Sequence, residues 1–531
     1  MTALSRPVAI LLAALLAQLT PGLALDWTKT GAYQRLSGSC RGAIEAGAVW
    51  WFVPADKGGW YLPSEHLWKP TFNYELKSIC LACPALHLAD EMGLLPDRAP
   101  DGVPAEPPQR EWREALRAAV RWAVENQNED GGWGVGWAYR GIVHSGSQTS
   151  DTAAGIRLLL RIGGDSPEVL NAVKRAVVWL LDEQLEDGGW SRKKEESKEG
   201  SAWHTAAAVS ALLEVLQRRS ELGLPSDLVE RVKRAVERGV EWLLRNQNED
   251  GSWYSGLMCQ EYSADTQAYV LSTLIDVYRL ADRLGLNVSE DRILKAIKLG
   301  LQWLFNSDKA GVTWVQTELG RGPAWAYSAA YLEAQGSPET TVTANVLRLA
   351  VLKAIWFNVG ADVPVKTPGG ERRLADLITD PEYNVHATIA WLVSQQWRED
   401  ALRLGHPEWY GGWPWPARNV TSTAEGASYE PASIWATSYA MRALEAYLRP
   451  DLYYGTNQPS RVETGAAEGA EAVESGSEKK VSGKVSKTAQ RTEVSHKKRT
   501  APAGGEKKPR KPKVIPVAPL VPPARRQRGD Q

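Results

Sequence analysis

Two kinds of apolar pattern alternate along the chain. One is amphipathic: Leu170, Val173, Val177, Leu180 and Leu181 recur at helical spacing with charged residues between them, as on a helix that buries a single face. The other is rich in Ala and apolar nearly all round, as in 152–162, 205–216, 266–280 and 437–448. Such a helix has to be covered on most of its surface. A Gly-containing turn and a loop of variable length separate the two kinds. A half-buried helix followed by a buried one, over and over, predicts two concentric layers with the Ala-rich helices inside. The expected fold class is all-α, a six-over-six α/α toroid: a double barrel of six helical hairpins closed on itself. An open solenoid would need polar capping repeats at its ends, and no clear ones stand in the sequence.

The turns carry a repeat. Trp122, Gln127, Asp130, Gly131 and Trp133 share their spacing with Trp179, Gln184, Asp187, Gly188 and Trp190, and with Trp242, Gln247, Asp250, Gly251 and Trp253. Trp303 and Trp314 keep the outer spacing with Asp308 in the Gln position. Trp391 and Gln396 keep the first half, followed after an insertion by Gly411-Gly412-Trp413. A sixth, degenerate copy surrounds Trp50, Trp51 and Gly58-Gly59-Trp60. Composition agrees: 24 Trp against 4 Phe inverts ordinary aromatic usage and implies a recurring job for indole.

This repeat resembles the Gln-Trp motif of squalene and oxidosqualene cyclases, and the paired helices resemble those of protein prenyltransferase β-subunits, over roughly residues 43–449. The resemblance to this terpene cyclase and prenyltransferase superfamily implies that Gln127, Gln184 and Gln247 tie outer helices together, so the motif speaks for fold more than chemistry. It also implies where chemistry would sit, at the inner-helix N-termini around one mouth of a central cavity. The cyclases open an inner helix with Asp-x-Asp-Asp-Thr-Ala, the middle Asp being the general acid. Here the sequence is Gln148-Thr149-Ser150-Asp151-Thr152-Ala153. Ser150 stands at the acid's position, so the standard protonation mechanism is not supported at this helix. Trp203-His204-Thr205 resembles the zinc-binding His of the prenyltransferases, but no Asp-x-Cys partner accompanies it. One isolated His is not a zinc site, and neither metal nor cofactor is implied.

The candidate catalytic residues are therefore Asp151, Asp265 and His204. The two Asp also suit helix N-caps, which is the preferred reading, and His204 a cap or cavity lining. Trp137, Tyr139, Trp203, Tyr254, Tyr262, Trp325, Tyr327, Trp413, Trp415, Tyr429 and Trp435 lie in or beside the hairpin loops and are the candidate ligand cavity. Such rings suit an isoprenoid chain, a carbocation or the apolar face of a sugar. Loops over a cavity mouth call for the same large residues merely to pack.

The ends of the chain differ from the body. Arg6, the apolar run from Val8 to Leu19, Pro21-Gly22 and the small-x-small Gly22-Leu23-Ala24 read as a secretory signal peptide over 1–24. The toroid is expected over 25–450, soluble and secreted or in the cell envelope. From 451 to 531 a low-complexity tail is expected to be disordered, basic from 479: after Gly476, 16 Lys and Arg face 4 acidic residues. Export points the tail toward an anionic surface polymer or lipid headgroups, and nothing in it recognises nucleic acid specifically. Of Cys40, Cys80, Cys83 and Cys259, the Cys-x-x-Cys pair reads as core thiols ahead of one bridge formed after export. Three functions fit these observations: an isoprenoid-handling toroid, enzyme or carrier; a glycan-active or glycan-binding toroid; or an envelope scaffold.

Overall fold

A computed structural model describes residues 26–69, 75–134, 146–255, 262–415, 417, 421–423, 426–428 and 431–455. The signal-peptide segment, Trp137, Tyr139, Cys259, Tyr429 and the tail beyond 455 lie outside the described residues. Twelve helices carry the architecture: α1 (Gly31–Trp50), α2 (Glu75–Glu91), α3 (Pro108–Glu125), α4 (Thr149–Ile162), α5 (Pro167–Asp182), α6 (Ala202–Gln217), α7 (Ser226–Arg245), α8 (Ala264–Leu284), α9 (Glu290–Leu304), α10 (Thr340–Phe357), α11 (Val385–Ser394) and α12 (Ile434–Leu448). The even-numbered helices touch in cyclic order and α12 returns to α2, so the inner ring closes. The odd-numbered helices back them, and α11 packs on α1. The fold is the expected α/α toroid.

The patterns explain the layers. In α7 the buried residues Leu228, Val232, Ala235, Val236, Gly239, Val240 and Leu243 form one stripe between exposed charges. In α6 burial reaches almost every side. Helix α10 is long and apolar enough to cross a membrane by composition, yet it is an inner helix enclosed by the others. It carries a π-turn at Leu347–Val351.

The repeat builds the joints. Gln127 Nε2 donates to Gly131 O at 2.6 Å and to Ala172 O of the next outer helix at 2.8 Å. Gln184 bonds Gly188 O and Ala235 O, and Gln247 bonds Gly251 O and Ala296 O, in the same way. Gly131 needs its left-handed backbone (φ 94°), and a Cβ there would meet Arg175 O at 2.9 Å. The second Trp caps the carbonyl end of the outer helix: Trp133, Trp190 and Trp253 donate Nε1 to Ala123, Leu180 and Leu243 O. Their backbone N–H groups reach into the next inner helix, to Thr152 Oγ1, Thr205 Oγ1 and Gln267 Oε1.

Two repeat assignments are corrected. In the fifth unit the capping indole is that of Trp325, which donates Nε1 to Leu304 O at 2.7 Å, and the backbone N–H of Trp325 donates to Thr343 Oγ1. A β-hairpin, Val312–Thr317 with Gly320–Trp325, is inserted there, so the eleven-residue spacing of Trp314 is coincidental. In the first unit Trp68, not Trp60, donates Nε1 to Trp51 O. The expected boundary at 450 is also passed. Pro450–Tyr454 is helical, with Arg348 Nη1 donating to Tyr453 Oη and Tyr454 Oη donating to Arg348 O.

Candidate functional site

The indole anchors set the register of the inner helices, and that register decides which side chains face the axis. Thr152, Thr205, Gln267, Thr343 and Thr437 hold the Trp backbone N–H groups. Two residues before each stand Ser150, Trp203, Asp265, Thr341 and Trp435. Asp265 is thus the counterpart of Ser150, not of Asp151, because Gln267 replaces Thr one position later in α8.

An axial cavity of about 180 Å³ lies inside the ring. Its upper wall is aromatic. Trp203 meets Tyr269 at 4.3 Å between centroids, Trp435 meets Tyr439 at 6.0 Å, and Tyr269 Oη donates to Tyr439 Oη at 3.4 Å. The helical spacing of Trp435, Tyr439 and Arg442 carries this stripe downward to a basic end. Arg157, Arg161, Arg348 and Arg442 line the cavity with Lys77, and no carboxylate does so among the described residues. Cys80 belongs to the same wall. Cys40, Cys80 and Cys83 are free thiols, and Cys83 is fully buried in the core.

The three catalytic candidates separate. Asp151 is 1 % exposed and does not line the cavity; the Lys77 ammonium is 3.6 Å from Oδ1. Burial pushes its pKa up while Lys77 and Arg192 oppose. It sits within the first turn, after Gln148 at the cap, so the N-cap reading is corrected. Helix α8 is likewise capped by Ser263, whose side chain accepts from Thr266 N, and α6 by Ser201. His204 places Nδ1 2.6 Å from Ser201 Oγ. Burial pushes it down to about 3, with Lys77 and Arg192 adding to the effect, so it is neutral at physiological pH. Among the described residues no group of three His, Cys, Asp or Glu could hold a metal.

Asp265 is half-buried and Oδ1 accepts from Asn345 Nδ2 at 2.7 Å. Burial pushes it up to about 6 against the pull of Asn345 and Arg348. Glu339, just before α10, accepts from Trp415 Nε1 at 3.0 Å and from Tyr327 N at 2.8 Å. Burial raises it to about 7 despite both bonds, and the Asp265 charge adds to the rise. Sequence reading missed Glu339 because no repeat marks it.

Of the aromatic candidates, Trp203 and Trp435 line the cavity. Trp415 lies 6.5 Å from Trp435 and is 41 % exposed. Tyr254 and Tyr262 pack on each other at 5.9 Å and are exposed. Tyr327 is half-buried beside Tyr331 at 6.3 Å. Trp325 and Trp413 are corrected: both are fully buried joints, Trp413 donating Nε1 to Leu392 O at 2.7 Å, and neither lines the cavity. Tyr269, Tyr439 and the arginines were missed. Their signal was charge and phenol on helices otherwise made of Ala and Leu.

Fold and site together define an α/α toroid with an aromatic and cationic axial cavity. Residues 105–204 match the squalene-hopene cyclase C-terminal domain family. Squalene–hopene cyclase of Zymomonas mobilis is 30% identical over 154 residues, covering 27% of this chain and 20% of its own. That of Schizosaccharomyces japonicus is 30% identical over 174 residues, 29% of this chain and 25% of its own. The chain thus spans a quarter or less of these relatives. The type II terpene cyclase MstE from Scytonema superposes with a TM-score of 0.42 at 16% identity, covering 77% of this chain and 98% of that one. These matches support a squalene-cyclase-like α/α toroid.

Proposed function

We propose that this is an exported toroid that binds an isoprenoid chain, or an apolar ligand of similar shape, in its axial cavity. The observation that carries the reading is the wall of Trp203, Tyr269, Tyr439 and Trp435, four aromatic side chains on the axis with no part in the repeat's joints. The matched segment 105–204 contributes Ser150 and Trp203 to that cavity, and the relatives' names refer to squalene and hopene. A volume of about 180 Å³ is close to the ~150 Å³ that holds benzene and below the ~300–1,000 Å³ of drug-sized sites. A long chain therefore enters only in part. Ser150 stands at the family acid's position, and the carboxyls that burial raises, Asp265 to about 6 and Glu339 to about 7, stand outside the cavity wall, so the reading is one of binding. Export rests on the apolar run Val8–Leu19. The basic tail suits an anionic polymer or lipid headgroups at the cell surface.

Extraction of the protein purified from its native host, followed by mass spectrometry, tests this. A polyprenyl or triterpene species is expected, and Trp203→Ala and Trp435→Ala should release it. Repeated recovery of no apolar molecule would overturn the reading. One observation favours a glycan instead: the raised carboxyl of Glu339 is bonded to the exposed Trp415, and the Asp265 charge adds to its rise. Release of reducing ends from a polysaccharide, lost in Glu339→Gln, would select that alternative.

A further inference from the structure

The cavity's lower end is a poor place for a hydrocarbon. Of the five cations that line the cavity, three have carboxylate partners set back from the wall. Glu214 accepts from Arg157 Nε at 2.7 Å and from Arg161 Nη2 at 2.7 Å, and Asp151 faces Lys77. The other two do not. Arg348 is 2 % exposed and its guanidinium donates to Asn345 Oδ1 and Tyr453 Oη, both neutral. It also stands 5.1 Å over the Tyr439 ring. Arg442 stands 5.4 Å over the Tyr453 ring, and its Nε is buried with no hydrogen-bond acceptor among the described residues. Neither forms a salt bridge among the described residues. Glu445, one turn further on α12, does not supply the missing charge: it is fully buried, its oxygens lack partners, and burial holds its pKa well above the usual range.

A buried guanidinium whose hydrogen-bond partners are neutral, as at Arg348, which reaches Asp265 only through Asn345, and a half-buried one with no ion pair among the described residues, as at Arg442, both gain from an added anion. The planar fork of Arg, with several donors, matches phosphate oxygens. We infer that the cavity takes an amphiphile with a phosphate headgroup, its phosphate between Arg348 and Arg442 and its first apolar carbons against Tyr269, Tyr439, Trp203 and Trp435. The inference rests on the apolar-ligand reading and adds the polar end. The small cavity volume agrees with it: the head and a few carbons fill the space, and the remaining chain leaves past Trp435 toward Trp415.

The test is calorimetric titration of the full chain with decyl phosphate, decanol and inorganic phosphate. Charge-assisted hydrogen bonds of this kind predict that decyl phosphate binds at least ~10-fold tighter than decanol. It should also bind well above inorganic phosphate, which lacks the chain. Arg442→Met and Arg348→Met should each bring the ratio of decyl phosphate affinity to decanol affinity, measured on the same variant, most of the way to 1. Arg442→Lys, which keeps the charge, should retain part of the preference. Equal binding of decanol and decyl phosphate overturns the headgroup inference and leaves the apolar-ligand reading intact. Equal binding of inorganic and decyl phosphate overturns the amphiphile. Binding of none of the three overturns both readings. The wild-type comparison decides even where a methionine variant fails to fold.

Discussion

Gln396 Nε2 donates to Ala43 O at 2.8 Å, joining residues 353 positions apart and locking the last outer helix, α11, to the first, α1. The same amide reaches Gly411 O at 2.7 Å. Gln396 is 2 % exposed, so water does not replace the lost donor. Gln396→Leu should lower the unfolding free energy by about 2–4 kcal/mol, because two carbonyls lose their partner. The half-buried Gln127 should cost about half as much when changed to Leu. Urea midpoints at constant slope measure both. An unchanged midpoint for the Gln396 variant would show that ring closure does not depend on this amide.

The two indoles of the fifth unit should behave unequally. Trp325→Phe removes the bond to Leu304 O at a fully buried position and should cost about 2–4 kcal/mol. Trp314 is only half-buried, packed at 5.4 Å on Tyr383 within the inserted hairpin, and Trp314→Phe should cost about 1 kcal/mol or less. Thermal unfolding of the two variants ranks them. The reverse order would restore Trp314 to the repeat.

Glu214 sets an acid limb. Burial works to raise its carboxyl, but Arg161 and Arg157 hold it at about 2. A depressed carboxyl stabilises the fold above its unfolded pKa, and that contribution is lost as pH falls from about 4.5 toward 2. Its size is on the order of 2–3 kcal/mol. Glu214→Gln should be less stable than the wild type at pH 7, with the gap closing by about pH 2–3. A gap independent of pH would refute the assignment.

Asp265 has the opposite sign. With its pKa raised to about 6, ionisation opposes folding, so stability falls as pH rises from about 4 through 6. Asp265→Asn retains an oxygen for Asn345 and removes the charge. Its stability relative to the wild type should improve across that interval by on the order of 1–3 kcal/mol and stay constant above it. Denaturation at several pH values reads the slope directly.

Much of the fold was legible because its determinants are local. The left-handed turn at Gly131 excludes side chains whatever the surroundings, and the Trp and Gln of each copy bind carbonyls at fixed offsets, as Trp133 does at Ala123 and Gln127 at Gly131. Where an insertion lengthened the loop, offsets misled, and Trp325 and Trp68 were found only through their bonds. The candidate site was less legible. Asp151 and Asp265 look alike in sequence, each before a Thr, yet Gln267 takes the backbone N–H of Trp253 in place of Thr and turns Asp265 by one residue toward Asn345. One residue on a helix is about 100° of rotation.

The sequence by itself determined that six amphipathic and six Ala-rich helices pair around an axis, since periodicity and turn chemistry act over a few residues. Only the tertiary structure decided what faces that axis. Arg348 on α10 and Arg442 on α12 are far apart in the chain, and that neither forms an ion pair among the described residues follows from the neighbours that ring closure assigns them. No local pattern records such neighbours, because burial and pairing of charge are properties of the assembled interior.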